Sequence, residues 1–134
     1  MVAVKNGVEL RVANIGDSGF LLIRFSRDNE PYVVQKSKEQ QHAFNIPYQL
    51  SILPNYSQLG DLYSQGKLKQ CQKLLHILKK KNTVCQDDPS CADEYSMQLR
   101  ESDIIISGTD GVFDNLFTHE ILKIVAEYRA LHLH

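Results

Sequence analysis

"VELRVANIGDSGFLLIRF", Val8 to Phe25, is the stretch on which the fold turns. Val8 to Ile15 alternates apolar and polar residues, the period of a strand with one covered face. Gly16-Asp17-Ser18-Gly19 has the composition of a sharp turn, and the apolar run "GFLLIRF" after it reads as a second strand. The two are expected to form a hairpin. Upstream, "VAVKNGVEL" carries Asn6-Gly7 between apolar runs, a strong signal for a two-residue turn, which extends the pair to a three-stranded meander starting at Met1. An opening strand needs sheet neighbours to be stable, so the chain is expected to be a piece of a larger domain.

Outward from this meander, "PYVVQKS" (31–37) continues the β pattern after a turn at Arg27 to Glu30, and "YQLSIL" (48–53) is a further short strand candidate. The character changes near Pro54. "GKLKQCQKLLHILKKKN" (66–82) sets Leu68, Cys71, Leu75 and Leu78 at helical spacing among six lysines, predicting a basic amphipathic helix over 67–81. The charge then reverses in "CQDDPSCADE" (85–94), with four acidic residues. Opposed charge blocks of low β propensity predict a variable insertion over 55–94, partly disordered and self-neutralising. The basic helix is expected to present a solvated face, the other reading being a dock for an acidic partner or nucleic acid.

Order returns with "YSMQLRESDIIISGTDG" (95–111), where Ile104 to Ile106 form the short continuous apolar run of a strand covered on both faces. Thr118 is placed to cap a last helix with a face of Ile121, Leu122, Val125, Tyr128 and Leu131, and Glu120 in its first turn suits the helix dipole. The fold class expected is α+β.

The chain has 134 residues, the length of one ordinary domain, and is 43% hydrophobic and 23% charged. Its 15 Lys and Arg against 16 Asp and Glu give no bulk charge that favours nucleic acid or a membrane surface, so neither is expected as a partner. No stretch approaches the roughly 20 apolar residues of a membrane helix, and the first residues lack the apolar core of a secretory signal. Cys71, Cys85 and Cys91 are an odd number without CxxC spacing and are expected to be reduced thiols in an intracellular protein.

Chemistry concentrates in "SGTDGVFDNL" (107–116). Asp110-Gly111 ends an apolar strand in a sharp turn, and Asp114 falls on the same side if the segment becomes helical. Carboxylates gathered from separate loops suit Mg2+ or Mn2+, which take oxygen ligands and keep several waters, and Asp17 in the other sharp turn is the natural third contributor. The plain alternative makes Asp110 and Asp114 turn and capping residues. A strand running into Asp-Gly also resembles the haloacid-dehalogenase phosphatases, but their chemistry needs a nucleophilic aspartate where this chain has Gly108.

Taken in order, "ANIGDSGF", "EQQHAFNIPYQLSI" and "DIIISGTDGVFDN" resemble the metal-dependent protein serine/threonine phosphatases of type 2C (PPM-type). Within that family the stretch Gln40 to Leu50 looks most like the branch that includes the mitochondrial enzyme associated with coenzyme Q biosynthesis. The resemblance covers about residues 2–54 and 95–128. It implies antiparallel sheets packed as a β-sandwich flanked by helices, a phosphorylated protein as substrate, and hydrolysis by a metal-activated water without a protein nucleophile. By the same resemblance Asp110 matches the aspartate on the central metal pair, and Asp17 and Asp114 match holders of an additional metal. His42 and Asn45 belong to the branch signature without an assigned role, and His42 is expected to be a buried, hydrogen-bonded histidine.

The chain departs from the family by lacking an early Asp-Gly motif and a late Asp-Asn motif. It is therefore expected to be a piece truncated at both ends and inactive alone, with a mitochondrial parent enzyme. Half a sandwich would leave open sheet edges, so a homo-oligomer is expected. The competing reading is a noncatalytic phosphatase-like module that binds a partner through its basic helix.

Overall fold

The computed structural model describes residues 1–50, 55–79 and 87–132. Eight strands, β1 (Val2–Asn6), β2 (Glu9–Asn14), β3 (Gly19–Phe25), β4 (Pro31–Lys36), β5 (Gln41–Ala43), β6 (Ile46–Pro47), β7 (Asp93–Gln98) and β8 (Ile104–Gly108), are joined by four helices. These are α1 (Tyr56–Ser64), α2 (Leu68–Lys79), α3 (Asp110–Phe113) and α4 (Thr118–His132). One antiparallel sheet has the order β1-β2-β7, a second β4-β3-β8, and β5 and β6 make a small hairpin.

The α+β class is as expected, but the meander is not. β2 and β3 lie in different sheets, so the turn at Ile15–Ser18 crosses from one layer to the other instead of closing a hairpin. The cause is burial. Phe20, Leu21, Leu22 and Ile23 are all buried, and a strand covered on both faces needs a partner layer on each side. Leu10, Val12 and Phe20 form one cluster between the sheets, with Tyr95 set edge-on to Phe20 at 5.2 Å between ring centres. Leu21 and Ile23 face the other way, onto Ile121 and Val125 of α4. The result is three layers, sheet on sheet on helix.

Several local expectations shift. The β1–β2 turn uses Gly7 and Val8 between the pair Asn6 and Glu9, with Gly7 at φ +59°, so the glycine leads the turn and does not follow an asparagine within it. β8 is fully covered on neither face: Ile104 and Ile106 are half-buried toward α4, and Ile105, on the side that faces the first sheet with its partner Leu22, is 43% exposed beside Val8 and Leu99. β3 is the doubly covered strand. In "YQLSIL" only Leu50 makes a bridge, to Asp87, and residues 51–53 lie outside the described residues.

The basic helix forms as α2, over 68–79, but its inward face is Cys71, half-buried Leu74 and Leu78, while Leu68 and Leu75 are exposed. That face packs on α1, whose Leu59 and Leu62 are half-buried. α1 was unexpected, although its start is marked: Asn55 accepts from the Gln58 amide at 3.1 Å, and the Gln58 side chain accepts from the Asn55 amide at 3.0 Å. The acidic run is ordered over its described part, with a 3-10 turn at Pro89–Cys91 and Asp93 and Glu94 already in β7. Among the described residues no lysine of α2 pairs with an acid of that run. Cys71 and Cys91 are free thiols; Cys85 lies outside the described residues.

In α4, Ile121 and Val125 are buried and Leu122 packs beside them, but Tyr128 and Leu131 are 61% and 75% exposed. Thr118 does not cap. The first turn is closed by Glu120, whose carboxylate accepts from the Phe117 amide at 2.7 Å, and the Thr118 hydroxyl accepts from Lys36 Nζ at 3.4 Å.

Candidate metal centre

The register of β3 and β8 builds one end of the sandwich. Gly19, the first residue of β3, pairs with Gly108, the last of β8, so the loops leaving these strands start side by side. Asp17 lies two residues before this pair and Asp110 two after it. Both glycines are required by the space around them. A Cβ on Gly19 would collide with Ser37 Oγ, the atom that accepts from the Phe20 amide at 2.9 Å, and a Cβ on Gly108 would lie 2.8 Å from Val112 Cγ2.

The Asp17 loop is held from three sides. Asn14 is fully buried and donates from Nδ2 to the Ser18 carbonyl at 2.8 Å. Gln40 accepts from the Gly16 amide at 3.2 Å, returns its own amide to the Gly16 carbonyl at 3.0 Å, and donates from Nε2 to the Cys91 carbonyl at 2.8 Å. Gly16 sits at φ +88° against the Tyr48 carbonyl, 2.7 Å from where a Cβ would stand, so only glycine fits this crossing. Asp17 is left half-buried at a shallow depression shared with Lys36, Ser37, Glu39 and Phe113.

Asp110 opens α3 after Thr109, which forms no side-chain cap. Its Oδ1 accepts from the Gly111 amide at 2.7 Å, and its carbonyl accepts from the Asp114 amide at the same distance, which closes one helical turn and sets Asp114 above Asp110. Asn115 ties the turn by donating to the Gly111 carbonyl at 2.9 Å. Both carboxylates are exposed, and neither has a cationic partner among the described residues.

The structure thus brings Asp17, Asp110 and Asp114 to one end of the β4-β3-β8 sheet. It does not draw any group of three His, Cys, Asp or Glu side chains within reach of one ion, among the described residues. By chemistry the donors fit a hard divalent cation: all are carboxylates, and one oxygen of Asp110 is free of protein bonds. Glu39, at the Asp17 depression, went unnoticed in the sequence because nothing local sets it apart.

His42 is satisfied as expected but is not buried. Its side chain is 30% exposed, stacked on Tyr48 with ring centres 4.1 Å apart, and its Nε2 meets Asp87 Oδ1 at 2.9 Å. The buried member is Asp87, 45 positions away in the run expected to be disordered. Burial pushes the Asp87 carboxyl up, but the bonds from His42 and from the Gln49 amide outweigh it and hold the group below the usual carboxylate range.

No protein-family profile matches the chain. Curated relatives do. The chain is 37% identical over 114 residues to a protein phosphatase PTC7 homolog of Danio rerio, covering 85% of this chain and 29% of that protein. It is 38% identical over 113 residues to protein phosphatase 2C homolog 7, mitochondrial, of Saccharomyces cerevisiae, covering 84% and 27%. Probable protein phosphatase 2C 55 of Arabidopsis thaliana is 34% identical, over 87% of this chain and 17% of its own length. Among solved structures, the photosystem II phosphatase PBCP superposes with a TM-score of 0.63 at 26% identity, over 93% of this chain and 36% of that one. The chain spans less than a third of the length of these curated relatives. Its three motifs, its packed antiparallel sheets and these likenesses agree: over most of its length the chain is similar to one segment of type 2C protein phosphatases.

Proposed function

We propose that this segment serves in the hydrolysis of phosphoserine and phosphothreonine in proteins, with Asp110, Asp17 and Asp114 as its contribution to a Mg2+ or Mn2+ centre. The observation that carries this reading is the Gly19–Gly108 register, which sets the Asp17 loop beside the Asp110 turn at one sheet end. The type 2C family is metal-dependent. A bound divalent cation supplies charge that polarises the phosphoryl group and acidifies a water. Asp110, at the sharp turn, would hold it, and Asp17 and Asp114 would help hold a more weakly bound additional ion.

The hydrogen bonds of Asn14 and Gln40 to the Asp17 loop and of Gly111 to Asp110 fix where the carboxylates stand before an ion arrives. Lys36, beside the Asp17 depression, offers a cation to an approaching phosphate oxygen. With Asp110 and Asp114 exposed and no three-carboxylate cluster formed among the described residues, the 134-residue chain alone binds one cation weakly and does not turn over. The mitochondrial name of the yeast relative supports the same compartment here. The exposed strand β1, with Val2 and Val4 on its surface, supports pairing with a second copy, and a monomer in light scattering refutes that part.

Calorimetric titration with manganese tests the centre. Wild type should bind weakly and Asp110→Ala not at all. Equal binding by the two would overturn the assignment, and manganese-dependent phosphopeptide hydrolysis by the chain alone would overturn its inactivity.

A further inference from the structure

The hairpin of α1 and α2 is an excursion whose two ends meet. It leaves after Leu50 and returns at Asp87, and these residues form an isolated parallel bridge. Asp87 closes the base. Its carboxylate accepts from the Gln49 amide at 2.8 Å and from His42, and its amide donates to the Gln49 carbonyl at 3.3 Å. Above this closure the helices pack chiefly on each other, through Cys71, Leu74 and Leu78, with Cys71 Sγ 3.8 Å from the Leu59 carbonyl.

Cys71, Leu74 and Leu78 of the apolar stripe of α2 turn inward on α1, Leu68, Leu75 and Ile77 stay exposed, and the face opposite α1 is basic. Lys69, Gln72, Lys73 and His76 follow one another at helical spacing around a shallow open depression that also touches Ile77. From Lys67 to Lys79 the sequence contains no acid, and neither Lys69 nor Lys73 has a carboxylate within ion-pair distance among the described residues.

We propose that this outward face of α2 is a docking surface for an acidic polypeptide segment. Charge is what the face offers. A membrane surface is a poorer match, because an interfacial helix buries a continuous apolar face in lipid, and here the centre of that face, Cys71, Leu74 and Leu78, is taken by α1. Single-stranded nucleic acid is also a poorer match, because this face carries no Phe, Tyr or Trp for bases to stack on and only the small ring of His76 beside its lysines. Lys69 to His76 spans about 10 Å of helix, the reach of two turns of a facing helix with acids four residues apart. The excursion is anchored in the chain at residues 50 and 87, which Asp87 joins to Gln49 and His42 on the body, so capture at this face would bring an acidic protein to the phosphatase segment. The inference does not depend on the metal centre and stands or falls apart from it.

Fluorescence anisotropy of a labelled short poly-glutamate peptide with the chain is the test. Wild type should bind, with affinity falling about tenfold between about 50 and about 300 mM salt. Lys69→Glu with Lys73→Glu should weaken binding at least about tenfold, Lys69→Arg with Lys73→Arg should retain it, and Lys5→Glu on the far strand β1 should change it less than about twofold. Circular dichroism checks that each variant keeps its helices. Undiminished binding by the charge-reversed variant overturns the proposal. So does tighter binding of oligouridine RNA or of phosphatidylserine vesicles through the same lysines.

Discussion

Replacing Arg24 by glutamine should cost about 3 kcal/mol of stability, because of what it leaves behind. Arg24 reaches from β3 to Asp103, the residue before β8, with Nε at 2.8 Å from one carboxylate oxygen and Nη2 at 2.7 Å from the other. The Asp103 side chain is 2% exposed and the Arg24 side chain 13%, so water replaces little of the lost bond. The Arg100 amide, at 2.8 Å, would be the main remaining donor. Asp103→Asn removes the buried charge and leaves an arginine nearer the surface, and should cost less, about 2 kcal/mol. The double variant should lose clearly less than the sum of the two. For a chain of this size about 3 kcal/mol corresponds to a melting point lower by roughly 10 °C. The pair also sets an acid sensitivity. The Arg24 bond holds the Asp103 carboxyl below its usual range against the opposing effect of burial, so its contribution is complete above the unfolded value, about 3.9, and is lost as pH falls through the folded value. Urea unfolding of the four proteins at neutral pH and below about pH 4 is the assay. A loss under about 1 kcal/mol for Arg24→Gln, or additive single effects, would refute the reasoning.

Gly108→Ala should destabilise by about 1–3 kcal/mol and weaken manganese binding, because its Cβ meets Val112 in α3 at 2.8 Å and displaces the turn that carries Asp110; unfolding and calorimetry read the two effects. Asp110→Asn should move the unfolding free energy by less than about 0.5 kcal/mol, since the side chain is exposed and bonded only to the next amide, while removing the calorimetric manganese signal. Asp87→Ala should loosen the α1–α2 hairpin at its base, seen as faster hydrogen exchange in both helices with sheet amides little changed. Because the Asp87 carboxyl is held below its usual range, protection of the wild-type hairpin should persist above about pH 4 and fall as the pH drops further.

The readable parts of the fold were those whose signal is local. Alternation placed β2, the β pattern of "PYVVQKS" placed β4, and Leu-rich spacing placed α2, because each needs only one covered face to leave a period in the sequence, while the Asn6-Gly7 turn placed β1. The crossing at Gly16 was misread because a turn that changes sheets and a turn that closes a hairpin use the same residues. "GFLLIRF" held the missing clue: a strand apolar at successive positions needs cover on both faces, which a one-sided meander does not give. α1 was missed although Tyr56, Leu59, Leu62 and Tyr63 stand at helical spacing and Asn55 with Gln58 marks its start; at nine residues with none fully buried, its period is short. His42 and Asp87 could not be matched by any local rule, being 45 positions apart. The place of Asp110 in the turn after β8 was legible from a strand ending in Asp-Gly. Its nearness to Asp17 was not, because it depends on the β3–β8 register.

That register also gives a second, independent reason against an aspartyl-phosphate route. Gly108 lacks a nucleophile, and a side chain there would begin 2.8 Å from Val112 Cγ2 and 2.9 Å from Val112 Cβ, so none is accommodated unless Val112, held in α3, moves. Moving Val112 would turn α3, and with α3 go Asp110 and Asp114. The glycine that brings β8 close to its own following turn is thus the same one that closes position 108 to covalent chemistry. Under the proposed function the attacking oxygen must then come from water held at this end of the sheet, and the carboxylates of Asp17, Asp110 and Asp114 are the groups the fold leaves there to hold its metal.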